Sequence, residues 1–314
     1  MLYDFFISSD FISGEEIARK LNISRVAVHK KIQNLRKQGY IIEGVRGKGY
    51  RLIPKFDSLL PLEFKLRLKT KIFGKEKITL ESIDSTQTII KELAEKGLPE
   101  GTLVIALEQT SGKGRMNRKW ISPRGGLWFS LLLRPPILPK DIYKLSLLFG
   151  VAIVISLEYY SIKASLKWPN DVIINNRKLC GILLESDIEL DKVNFVAVGI
   201  GVNVNFPSSI LPNDLKISAI SLYDILGRNI DRAELLCKIL KNSENLYIQA
   251  INEGFSNIIS LWRSRSSMFG NPIEVKLLDK SIKGIALDID NDGSLILDKN
   301  GEIIKIYSGD VIFL

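Results

Sequence analysis

The spacing of apolar residues changes regime twice along this chain, and each change limits what the flanking segments can fold into. Up to Leu52 the signals are short and helical. Ser13-Gly14-Glu15-Glu16 fits the S-x-x-E capping box, and Ile17 and Leu21 follow at helical spacing. Asn22-Ile23 makes a tight turn, after which Ser24 can cap a second helix closed by Gly39. On that helix Val28, Ile32 and Leu35 share one face, leaving Val26, His29, Lys30, Gln33 and Lys37 on the other. Ile41-Ile42 and the stretch from Val45 to Leu52 predict two short strands around a glycine tip at Gly47. Helix–turn–helix followed by a basic hairpin is the winged-helix plan.

Pro54 to Pro61 predicts a linker, because each proline disfavours continuous structure. From 62 to 265 strand and helix patterns mix, which predicts a layered α/β region. Lys77–Ile83, Thr102–Glu108, Leu127–Leu133, Asp171–Ile174, Leu179–Glu185 and Phe195–Val204 have strand patterns. Ser85–Lys96, Pro139–Tyr160 and Asp231–Phe255 have helical ones. From Met268 only short strands remain, separated by Asp, Asn and Gly turns such as Asn291-Asp292-Gly293, as in a small SH3-like β-barrel. The expectation is an α+β chain in three parts, 1–60, 61–267 and 268–314.

Composition excludes several function classes. His29 is the only histidine and no Cys/His cluster has zinc spacing, so His-based triads and most transition-metal sites are ruled out. Cys180 and Cys237 are far apart, which argues against a disulfide framework and fits a reducing cytoplasm. The start of the chain has no signal-peptide pattern, and the longest apolar stretch, Leu145–Leu157, is too short to cross a bilayer. No membrane role is therefore expected. The net charge of +9 leans toward anionic partners. Up to Arg51, ten Lys/Arg stand against five Asp/Glu, a DNA-like footprint. The helix after Ser24 would present Arg25, His29 and Lys30 to a major groove, while Arg46 and Lys48 on the wing would meet phosphate or minor groove.

Two segments carry the chemistry. Gln109–Trp120 (QTSGKGRMNRKW) crowds Lys113, Arg115, Arg118 and Lys119 onto a glycine-punctuated loop. It lacks the third glycine of G-x-G-x-x-G, and Trp120-Ile121-Ser122-Pro123 blocks the helix a dinucleotide fold needs. A charge run of this kind is often only a solvated loop. Two glycines that let backbone approach a ligand shift the balance to phosphate binding. The second segment, Lys167–Glu185, sets Trp168-Pro169-Asn170-Asp171 before a strand and Lys178 at the start of the next. Asp171 could hold Mg²⁺ or simply form a turn. Asp84-Ser85-Thr86 caps a helix and leaves a hydroxyl for a small polar ligand. Gly199–Asn203 could be a β-bulge, or could bring Asn203 to an adenine.

Taken in order, Ser85-Thr86, the Gly112–Trp120 loop, Lys167–Asp171, RKLCGILLE from Arg177 to Glu185 and GIGVNVN from Gly199 to Asn205 resemble the biotin–protein ligases. With the winged helix in front, the resemblance extends over essentially the whole length to the bifunctional biotin ligases and biotin-operon repressors. It implies a central domain of the class II synthetase-like type. It also implies that Ser85, Thr86, Gln87 and Gln109 hold the biotin ureido ring, and that Lys113, Gly114 and Arg115 form the biotin- and adenylate-binding loop. Lys178 would meet the biotin carboxylate and the α-phosphate, with Arg118, Trp120, Asn170, Asp171 and Asn203 on the ATP side. The implied reaction forms biotinyl-5′-AMP from biotin and MgATP, then passes biotin to a lysine of a biotin carboxyl carrier protein. The implied partners are biotin operator DNA and a second copy, in a homodimer promoted by biotinyl-5′-AMP. Lys178 is then the central electrostatic catalyst and Arg115 the residue that retains the adenylate.

The family loop reads GRGRRGR where this chain reads GKGRMNR, so Met116 removes a charge and Asn117 replaces a glycine. Asn tolerates left-handed backbone better than most residues. Two alternatives stay open on the residues alone: a lipoate or octanoate ligase, and a sensing repressor whose catalytic domain is inert.

Overall fold

The computed structural model describes residues 5–6 and 10–314, which divide into two compact units. The first runs to Leu68 and takes in Asp231–Glu234. Helix α1 (Gly14–Leu21) starts at Ser13, whose hydroxyl accepts the Glu16 N–H at 3.0 Å. The Glu16 carboxylate turns to Lys20 Nζ at 2.7 Å, and that hydrogen bond holds it below its usual range. Asn22 takes the left-handed conformation at the end of α1, and Ser24 caps α2 (Arg25–Lys37) through the Ala27 N–H at 3.1 Å. Val28, Ile32 and Leu35 pack with Ile17, Ile42 and Leu52 in one apolar cluster. Strands β1 (Ile41–Val45) and β2 (Gly49–Ile53) form the antiparallel hairpin.

The expected linker is only partly one. Pro61 opens helix α3 (Pro61–Arg67) at its first position, where its missing N–H costs nothing and its fixed φ favours the helix. The Leu62 N–H donates to Tyr40 Oη at 3.2 Å and the Leu62 side chain joins the apolar cluster, so these residues extend the winged helix. Glu63 is fully buried, and burial raises its carboxyl above the usual range against the Lys55 N–H bond at 3.1 Å.

The second unit is built on a seven-stranded sheet with order β3-β4-β5-β9-β8-β7-β6. Its strands are β3 (Lys77–Ile83), β4 (Leu103–Gln109), β5 (Leu127–Leu133), β6 (Ser165–Lys167), β7 (Asp171–Ile174), β8 (Arg177–Glu189) and β9 (Lys192–Val202). Only β3 and β4 run parallel; the helix α4 (Thr86–Glu95) makes the crossover that a parallel pair requires. Helix α5 (Lys144–Glu158) is buried on every side from Leu145 to Val154, as a run interrupted there only by the small Ser146 and Gly150 predicts. The short helices α6 (Asn213–Lys216) and α7 (Leu222–Leu226) follow β9, then α8 (Arg232–Glu253) and α9 (Ser256–Arg265). Glu244 on α8 is buried and accepts the N–H groups of Lys71, Ile72 and Phe73 at 2.6–3.0 Å.

The remaining strands are β10 (Pro272–Lys276), β11 (Ser281–Ile289), β12 (Leu295–Lys299), β13 (Glu302–Ile306) and β14 (Asp310–Phe313). They form an antiparallel sheet of order β13-β12-β11-β10-β14, the SH3-like module. Trp168 ties it to the larger sheet, donating from Nε1 to Gly293 O at 3.1 Å.

Candidate active site

A cavity of about 480 Å³ opens over the sheet, and every residue expected to bind biotin or ATP lines it. Its floor is backbone. Gly181 on β8 lies opposite Gly201 on β9, with Gly199 two residues away on the same face. A Cβ at Gly199 would lie 2.8 Å from the Gln87 amide carbon, and one at Gly201 would lie 2.7 Å from Trp120 Cε2. Glycine here admits two large side chains against the sheet.

One end of the cavity is neutral and hydrogen-bonding. Ser85 caps α4, accepting the Gln87 N–H at 3.2 Å. The Gln109 Oε1 accepts both the Thr86 N–H (2.8 Å) and its hydroxyl (3.1 Å), and Ser130 Oγ lies 2.7 Å from that hydroxyl. Gln109 Nε2 donates to Ser122 Oγ at 2.8 Å.

The other end is cationic. Lys178 Nζ sits 2.7 Å from Asp171 Oδ1 and 5.1 Å from the Trp120 ring centroid. Arg115 donates to Asn170 Oδ1 at 3.3 Å and to Gly309 O at 3.2 Å. Arg115 and Arg118 both pair with Asp310 at the start of β14. Lys113 reaches back to Thr88 Oγ1 at 3.1 Å. The loop that carries these cations is closed by Gly114 N–H to Arg118 O (2.7 Å) and Trp120 N–H to Gly112 O (2.8 Å). Asn117 is left-handed with φ 57°, and so is Met116 with φ 53°, a conformation costing a non-glycine residue about 1–2 kcal/mol.

Asn170 anchors the turn into β7, its Nδ2 donating to Ile182 O at 2.6 Å, and the Trp168–Pro169 peptide is cis. Asn203 is buried and its Nδ2 donates to Ile220 O at 3.0 Å, so it also ties the segment between β9 and α7 to the sheet. Asp224 holds the same segment by accepting the Ser208 and Ser221 N–H groups at 3.1 and 2.9 Å. Burial raises its carboxyl, but the bonds from Ser208 and Ser221 outweigh this and hold it below the usual range. Burial pushes the Cys180 thiol up, so it is no nucleophile at neutral pH.

Three charged cavity residues had no role in the sequence expectations. Lys167 opens the Lys167–Glu185 segment. Burial depresses its pKa and Lys178 adds to that, while Asp171 and Asp310 oppose it. Lys276 and Asp310 come from the SH3-like module, and nothing local in the sequence marks them.

The profile of the biotin/lipoate A/B protein ligase family matches residues 79–205, flanked by an HTH domain at 2–51 and a biotin protein ligase C-terminal domain at 268–314. The bifunctional ligase/repressor BirA of Bacillus subtilis is 44% identical over 305 residues, covering 96% of this chain and 94% of the relative. The chain belongs to the biotin–protein ligase family. The corresponding Escherichia coli ligase/repressor is 33% identical over 313 residues, covering 98% of this chain and 94% of that protein. The solved biotin protein ligase from Aquifex aeolicus, in complex with biotin and ATP, has a TM-score of 0.65 at 34% identity. It covers 76% of this chain and 98% of the Aquifex chain.

The expected DNA-contacting residues of the ligase lie in the first unit. Arg25, His29 and Lys30 are exposed on α2, and Arg46 and Lys48 are exposed at the hairpin turn. His29 Nδ1 lies 3.3 Å from Tyr50 Oη, and its Nε2 lies 3.3 Å from Gln33 Nε2. No helix among the described residues is long and apolar enough to cross a membrane.

Proposed function

We infer that this enzyme joins biotin to ATP as biotinyl-5′-AMP and transfers the biotinyl group to a lysine of a biotin carboxyl carrier protein. We also infer that its winged helix represses biotin genes, with the same adenylate as corepressor. One observation carries the reading: a single cavity joins a buried neutral hydrogen-bonding end to a cationic end across a backbone floor. Gly199 beside Gln87 and Gly201 beside Trp120 are two residues apart, roughly 7 Å along a strand. That step suits a polar ring at one end and a carboxylate, carried on a short aliphatic chain, at the other.

The chemistry is two displacements. A biotin carboxylate oxygen attacks the α-phosphorus of ATP and pyrophosphate leaves; the acceptor amine then attacks the mixed anhydride and AMP leaves. Neither step needs a covalent enzyme intermediate. Lys178 would offset charge as it develops on the α-phosphate, held in place by Asp171. Arg115, Arg118 and Lys113 would hold the adenylate under the loop and exclude water. Asn170, Asn203 and Trp120 would shape the nucleotide side. Mg²⁺ would arrive with the nucleotide phosphates. Of the two cavity carboxylates Asp310 is paired with Arg115 and Arg118, so Asp171 would be the one to meet it, in keeping with the one or two carboxylates such sites use. The described residues contain no cluster of three metal-ligating side chains.

The lipoate alternative fits poorly, because a dithiolane ring would leave the buried polar end unpaired. An inert sensor would need Lys178 only to bind the carboxylate and would release no pyrophosphate. The test is incubation with labelled biotin, ATP and an acceptor domain, with lipoate as control. Biotin-dependent pyrophosphate release and acceptor labelling are expected; equal release with lipoate would overturn the specificity. DNA affinity and dimerisation are expected to rise with biotin and ATP, and DNA affinity that ignores both would contradict the coupling.

A further inference from the structure

Gln87 is 3% exposed, faces the cavity, and has a carbonyl oxygen with no hydrogen-bond partner. Its amide orientation is not arbitrary. Nε2 donates to Glu185 Oε2 at 3.0 Å and to Ala197 O at 3.3 Å, and both of these groups can only accept. Flipping the amide would set oxygen against two oxygens. Glu185 is in turn fixed by Lys91 Nζ at 2.7 Å from its other oxygen. The neighbouring acceptors are already occupied: Gln109 Oε1 takes two donors from Thr86, and the Thr86 hydroxyl is engaged with Gln109 and Ser130. Gln87 Oε1 is therefore a buried acceptor lacking a donor, and a buried acceptor costs free energy until one arrives.

We propose that Glu185, braced by Lys91, is a positioning residue for substrate selection that locks Gln87 Oε1 toward the cavity to accept a ureido N–H of biotin. This rests on the biotin reading above. Glu185 does not touch the substrate. It acts by deciding which end of the Gln87 amide does. A ring without N–H donors, such as a dithiolane, gains nothing from this acceptor and leaves it unsatisfied. The lock thus converts an ambidextrous amide into a donor-selective contact.

The test is the charge-swapped double variant Lys91→Glu with Glu185→Lys, compared with the full-length wild type. The swap keeps an ion pair between α4 and β8 but puts a charged donor where Gln87 needs an acceptor; that donor outweighs the longer contact to Ala197 O, so the amide turns its NH₂ into the cavity. The KM for biotin should rise about tenfold or more, the loss expected when a buried hydrogen bond is replaced by a mismatch, with kcat and the KM for ATP within about twofold. A purely structural ion pair predicts unchanged biotin KM in the swap, and that result would overturn the proposal. Should the swap not fold, Glu185→Gln carries the test. The introduced amide can offer either end to Gln87, so a smaller rise in biotin KM, about threefold, is expected at unchanged melting temperature; no rise overturns the proposal. Wild-type enzyme that releases no pyrophosphate with biotin would instead remove the ligase reading itself.

Discussion

Replacing Lys178 with Met keeps an unbranched stem and removes only the charge. Lys178 is 35% exposed at its side chain and sits 2.7 Å from Asp171, so it works in a partly dry site. Two unit charges 4 Å apart interact by about 4 kcal/mol at an effective dielectric near 20 and by about 1 kcal/mol in water. Removal of one preorganised group at a developing oxyanion costs roughly 3–4 kcal/mol in other enzymes. The partly screened lysine therefore accounts for a fall in kcat of about 10²–10³-fold. The fold should barely notice, because a partly exposed ion pair contributes only about 1 kcal/mol or less. The assay is biotin-dependent pyrophosphate release at saturating biotin and ATP, run beside a thermal melt. A kcat within about tenfold of wild type, with a normal melt, would refute the electrostatic role.

Arg115→Gly should still make the adenylate but lose it to solvent, because Arg115 ties the loop to Asn170 and Gly309; filtration of labelled adenylate and labelling of bystander amines report it, and tight retention argues against the role. Gly201→Ala should drive Trp120 off the floor and raise the KM for ATP about tenfold, with altered tryptophan fluorescence as the independent sign; normal ATP binding would contradict the close packing. Glu244→Gln puts an NH₂ group among the donors of Lys71, Ile72 and Phe73 and should cost roughly 3 kcal/mol in urea unfolding, a loss below about 1 kcal/mol counting against it. Arg46→Ala with Lys48→Ala should weaken DNA binding uniformly across sequences and flatten the slope of log K against log salt by about 2, whereas an unchanged slope would take the wing off the phosphates.

Much of the fold was legible because its signals are local. Ser13, Ser24 and Ser85 announce helix starts by a hydroxyl placed before an apolar period, and each caps its helix. Pro61 was misleading because the same residue ends structure inside a helix and favours it at the first position. Strand β6 has only three residues, too few for a period to show. The cavity's glycines and cations were legible as motifs, whereas Lys276 and Asp310 were not. Their presence depends on where a separate sheet docks, and no local pattern encodes that. Glu185 ends the RKLCGILLE motif, but its partner Lys91 lies on α4.

The glycine floor has a consequence for redesign. A pocket walled by side chains can be enlarged by trimming them, but Gly181, Gly199 and Gly201 have nothing left to trim. Evolution or engineering can make this site shallower along the sheet, never deeper. A variant that takes a bulkier acid must gain its room from the side chains laid on that floor, Gln87 and Trp120, or from the loop above that carries Met116 and Asn117. Where the room comes from the loop, substrate scope and intermediate leakage are coupled: opening the roof to admit a new acid also opens the way out for its adenylate.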